Sequence, residues 1–184
     1  MTSLAEESLL LKKTVILAIF SAVAVVLGIV ESMIPLGNFM VPGAKLGLAN
    51  IMILTCLYFL GGKDTLMLVV LKTLLTAMIL GTFSMLLFSL FGAILSFAAM
   101  YGLMKISRKR LSLIGISVAG GIAHNIGQLG AAAIVIDSLH IFYYLPVLMI
   151  AGVATGIVVG IAVRYLTNSL GRMKMFALFV PENY

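Results

Sequence analysis

His124, Asn125 and Gln128 fall within five residues of one otherwise apolar run, and Lys72 stands near the middle of another. On a helix, His124 and Gln128 are spaced i and i+4 and share one face, with Asn125 beside them. In hydrocarbon such groups must turn toward other protein, where they bond a neighbouring helix or line a cavity. Bonding between helices would explain one of them. Three together, flanked by Gly120, Gly121, Gly127 and Gly130, read as a wall of a polar pocket. Lys72 carries a charge that costs at least about 2.5–3.5 kcal/mol at the centre of a bilayer span. Two readings of it stay open, a structural ion pair or a ligand or counter-ion site inside a bundle. Glu31, Lys45 and Asn50, near the ends of neighbouring apolar runs, complete the candidate substrate-binding set. Its cationic members favour an anionic or aromatic polar ligand, a preference tempered by Glu31.

Catalysis finds less support. Prenyl transfer from a diphosphate needs clustered carboxylates to hold Mg²⁺, whereas Asp64 and Asp137 are isolated. There is no phosphate-binding glycine loop and no nucleophile elbow. His140 is separated from the other candidates, so no metal or cofactor is expected, and the single Cys56 carries neither a disulfide nor a metal argument. The sequence therefore reads as a binding protein, not an enzyme.

The elements that must position these residues follow from composition. Of 184 residues, 62% are hydrophobic and 10% charged, against about 25% charged in soluble domains. This excludes a soluble enzyme, a secreted disulfide scaffold and a disordered regulator, and the chain is too short for a large two-bundle transporter. Six apolar runs predict six transmembrane helices, over about 14–35, 46–60, 65–80, 84–104, 113–136 and 144–166, in one all-α membrane domain covering 1–184. Runs two and three are short. The tail from Thr167 mixes basic and aromatic residues and suits an interfacial segment against membrane lipid. No cleavable leader is read at the start, because Glu6 and Glu7 precede an apolar run too long for one.

Charge sets the orientation. With the N-terminus inside, Lys12, Lys13, Lys63, Lys105, Arg108, Lys109, Arg110, Arg164, Arg172 and Lys174 are cytoplasmic, and only Lys45 lies in an outer loop. That bias predicts both termini on the cytoplasmic side of a membrane crossed several times. It also accounts for the net charge of +6 without nucleic acid. At 1.5 Å per residue, Lys72 lies about 12 Å from the inner end of its span, with His124 and Gln128 about 17 and 23 Å deep. The polar set thus sits at or beyond the midplane, as a pocket open to the outside would require.

Small residues form a second pattern. Ala18 and Ala22 make an AxxxA in the first span, and Gly152, Gly156 and Gly160 a GxxxGxxxG in the sixth. Such ridges allow close helix approach. Packing within the bundle suits both, and for the first a docking surface for a membrane partner stays open.

The stretches Gly43-Ala-Lys-Leu-Gly-Leu-Ala-Asn50, Ser89-Leu-Phe-Gly92-Ala-Ile-Leu-Ser96 and Ile116-Ser-Val-Ala-Gly-Gly-Ile-Ala-His-Asn-Ile-Gly-Gln128 resemble the Gx transporter family, labelled heptaprenyl diphosphate synthase component I. That family is similar to the substrate-binding S components of energy-coupling-factor (ECF) vitamin transporters. The resemblance implies a six-helix bundle with both termini inside and an outward pocket for a small vitamin-like, flavin or quinone-precursor molecule. It implies that Ala18 and Ala22 dock a transmembrane coupling subunit joined to two ATPases. The family label implies an alternative, a non-catalytic membrane partner of a polyprenyl diphosphate synthase in isoprenoid quinone biosynthesis. A self-sufficient small channel or carrier is a third reading.

Overall fold

A computed structural model describes residues 2–33, 47–80, 83–107 and 111–180. Six α-helices are found among them: α1 (Thr2–Met33), α2 (Asn50–Leu60), α3 (Gly62–Leu80), α4 (Phe83–Ser107), α5 (Leu113–Ile136) and α6 (Leu145–Gly171). A short 3-10 helix, Leu139–Tyr144, precedes α6, and no strand occurs among the described residues. Among the described residues, four segments are long and apolar enough to cross a bilayer: Glu6–Met33, Phe83–Ser107, Leu113–Ile136 and Leu139–Gly171. By contrast α2 has only 11 residues, and α3 carries Lys63, Asp64 and Lys72.

Several boundaries differ from the hydropathy reading. Helix α1 starts at Thr2, well before residue 14, and α6 runs to Gly171, beyond residue 166. Neither extension contains glycine or proline before its end, so the backbone stays helical after the side chains turn polar. Helix α2 begins at Asn50 instead of 46, because Gly47 adopts φ +84°, a left-handed conformation outside any α-helix. Gly61, at φ +81°, separates α2 from α3 in the same way.

Helix α2 is the centre of the bundle. It packs on all five other helices, and eight of its residues are buried, among them Met52, Ile53, Leu54, Cys56, Leu57 and Phe59. A helix apolar around its whole circumference belongs in such a place. Around it, α4, α5 and α6 pack through glycines. A Cβ on Gly156 would meet Val118 Cα at 2.5 Å, and one on Gly160 would meet Ile114 Cα at 2.6 Å. The α6 glycine ridge is therefore an internal contact with α5, the role expected of it from the sequence.

Helix α1 packs on α2 and α3, and Lys13 Nζ lies 2.8 Å from Asp64 Oδ2 at the start of α3. The segment after α6 folds back through successive turns, with Phe176 N–H donating to Met173 O and Phe179 N–H to Phe176 O. Phe176 is buried. Its ring stacks on Phe20 of α1 at 5.8 Å between centroids and meets Phe59 of α2 at 5.0 Å. In place of a purely interfacial tail, residues 172–180 thus tie α6 to the α1–α2 pair.

Candidate functional site

Helix α5 supplies the centre of the candidate site. Gln128 Nε2 and His124 Nε2 lie 3.1 Å apart, the amide donating to the ring nitrogen. In that arrangement a neutral ring carries its proton on Nδ1. Both side chains are buried. They face α4, where a Cβ on Gly92 would lie 2.9 Å from His124 Nδ1, His124 Cε1 and Gln128 Cγ. Only glycine lets the α4 backbone come this close. His124 stands close to the middle of α5, roughly 16 Å from its first residue at 1.5 Å per residue.

The start of α2 meets α5 at this depth. A Cβ on Gly47 would lie 2.8 Å from Asn50 Nδ2 and 3.2 Å from His124 Cδ2. The turn 47–50 therefore reaches the interior of the bundle, which explains why α2 spans only about 16 Å. Glu31, 4% exposed on α1, holds this turn: its Oε1 accepts from Gly47 N–H and, at 3.3 Å, from Leu48 N–H. Asn50 is 4% exposed, and among the described residues no donor reaches its Oδ1.

The remaining expected site residues are distributed differently. Asn125 donates from Nδ2 to Leu148 O of α6 at 2.6 Å. One residue is 100° of helix turn, so Asn125 faces α6 while His124 faces α4. Lys72 is buried on α3, a helix that packs on α1, α2 and α4. Lys45 lies outside the described residues. Ala18 and Ala22 are exposed on α1, on the same side as Val15, Ile19 and Val26, while Phe20, Ser21 and Ala24 point inward. No group of His, Cys, Asp and Glu suited to a metal ion occurs among the described residues.

Two contributors escaped the sequence reading. The Gly47 and Leu48 N–H groups are backbone donors, and nothing in side-chain type signals them. Gly92 was visible as a small residue within the Ser89–Ser96 stretch, with nothing to signal its approach to His124 and Gln128. Two open depressions, of about 320 Å³ beside Leu139–Tyr143 and about 460 Å³ between Leu57–Gly61 and the 178–180 turn, lie apart from this polar set.

Residues 20–166 match the family heptaprenyl diphosphate synthase component I. The chain belongs to that family. The match runs from within α1 to within α6 and includes Glu31, Asn50, His124 and Gln128; Ala18 and the 172–180 turns fall outside it. No curated protein and no solved structure matches the chain.

Proposed function

We propose that this family member is the substrate-binding S component of an ECF-type importer in a bacterial cell membrane. In this reading all six helices are embedded, both termini are cytoplasmic, and the chain captures a small vitamin-like, flavin or quinone-precursor molecule from outside. The observation that carries it is the polar set at mid-bundle depth, where Asn50, His124 and Gln128 meet around a turn held by Glu31. Polar groups buried in a membrane bundle are costly, and their retention marks a site or a pathway. Asn50 Oδ1, lacking a donor among the described residues, favours a substrate that brings an N–H or O–H group. Lys72, Lys45 and Asn125 belong to the proposed pocket through their sequence positions and need separate tests. The exposed Ala18 and Ala22 suit the docking of a transmembrane coupling subunit, itself joined to two ATPases.

A second reading takes the family name literally, with the chain as a non-catalytic membrane partner of a soluble polyprenyl diphosphate synthase. One co-purification separates the two. The chain is co-expressed with an ECF coupling subunit and its ATPases, and separately with a prenyl diphosphate synthase from the same cell. The first reading expects a complex with the coupling subunit that Ala18→Leu plus Ala22→Leu disrupts. It also expects a small molecule, retained in native mass spectra, that Lys72→Met and His124→Ala each release. Stable capture of the synthase with a changed product length, and no coupling-subunit complex, replaces it with the second.

A further inference from the structure

A helix that begins inside a membrane bundle has a particular difficulty at its start. Its leading N–H groups lack helical partners, and no bulk water is present to satisfy them. Helix α2 begins in this way, beside His124 near the middle of α5. Its N-cap is Ala49, which makes no side-chain capping bond. The carbonyls of Gly47, Leu48 and Ala49 accept from Asn50, Ile51 and Met52 N–H, which passes the need for an acceptor back to the turn, and Glu31 of α1 receives the N–H groups of Gly47 and Leu48 there. A carboxylate at this end also opposes the positive pole of the α2 dipole.

We propose that Glu31 is a positioning residue, anchoring from across the bundle the turn that leads into α2 so that Asn50 is held against His124. Gly47 makes the arrangement possible. Its φ of +84° aims consecutive N–H groups at one oxygen, and a side chain there would strike the Asn50 amide and the His124 ring. Glu31 thus acts on the site through the backbone, and Asn50 is the group it delivers. The inference concerns how α2 is placed and holds whatever molecule the site receives. Its failure would leave the transport reading to the co-purification above.

The protein contains no tryptophan, so Leu48→Trp places a single emitter on the turn in the full-length chain. Acrylamide quenching and the emission maximum are measured in mild detergent, with circular dichroism to follow helicity. Losing a charge-assisted contact shifts a local equilibrium by roughly tenfold or more. Glu31→Ala is therefore expected to raise the quenching constant at least about twofold and move emission to the red. Glu31→Gln retains an acceptor oxygen of the same reach but loses the charge, and should fall between the parent and Glu31→Ala. In a companion protein with Thr155→Trp on α6 in place of Leu48→Trp, Glu31→Ala should leave the signal unchanged. No response at Leu48→Trp overturns the assignment. An equal response at Thr155→Trp overturns it too, by showing general loosening of the bundle. Should Glu31→Ala lose helicity, Glu31→Asp serves instead: one methylene shorter, it should produce the rise in quenching, and a parent-like signal overturns the proposal.

Discussion

Replacing Gly92 with alanine adds one methyl group where α4 meets His124 and Gln128. In a helix interior the change from glycine to alanine is worth about 0.8–1.0 kcal/mol of stabilisation. Here the new carbon would lie 2.9 Å from three atoms, His124 Nδ1, His124 Cε1 and Gln128 Cγ. Ordinary carbon contacts begin near about 3.5 Å, so the imidazole and the amide would have to retreat by about 0.5 Å or more. Overpacking of this kind costs about 1–3 kcal/mol, enough to cancel or reverse the propensity gain. Gly102 on the same helix and Gly130 on α5 provide controls, since nothing lies within 4 Å of a Cβ at either. Gly102→Ala and Gly130→Ala should therefore stabilise by up to about 1 kcal/mol, and Gly92→Ala should fall about 1–3 kcal/mol below them. Reversible unfolding in mixed micelles, followed by helicity, measures the difference. The chain has two histidines, and His140 is exposed on the 3-10 helix. Imidazole resonances then provide a second assay: Gly92→Ala should move the His124 signals and leave those of His140 in place. A Gly92→Ala protein as stable as Gly102→Ala, with unmoved His124 resonances, would refute the packing of α4 on this pair.

Two further outcomes test the frame around the site. Gly156→Val should separate α5 from α6 and lower stability by about 3 kcal/mol, because its Cβ meets Val118 backbone at 2.5 Å; Gly115→Ala, whose nearest neighbour is Ser112 Oγ at 3.6 Å, should be tolerated in the same unfolding assay. Phe176→Ala removes a buried ring from its contacts with Phe20 and Phe59 and should cost about 3 kcal/mol, with Phe176→Leu recovering more than half, as measured by thermal unfolding.

How far the sequence could be read depended on the range of each interaction. Helix α5 was legible to its ends, since Ser112 accepts from Gly115 N–H at 3.1 Å at one terminus and Asp137 turns left-handed at the other. The His124–Gln128 pair was legible because it is local and follows helix periodicity. Asn125 shows the limit of that logic: adjacency in sequence suggested a shared wall, but a 100° step aims it at Leu148 O. The hold of Glu31 on Gly47 and Leu48 was hidden, since backbone N–H groups look alike in any sequence and the partners lie 16 and 17 residues apart. The start of α1 and the end of α6 lie beyond the hydropathy spans for another reason. Hydropathy marks where lipid gives way to water, whereas α1 and α6 continue until the backbone meets a breaker or the chain turns.

The contact of Phe176 with Phe20 and Phe59 also has a meaning in time. A chain inserted as it is synthesised exposes Phe20 early, and Phe176 follows only after about 150 further residues, roughly 8–30 s later at typical synthesis rates. Until then the inward face of α1 near Phe20 and the end of α2 near Phe59 lack one of their neighbours. Helix α1 thus waits for the segment after α6 before its packing is complete. Such a long-range contact is slow to form, and it makes the closure of this bundle a late event in the biogenesis of the protein.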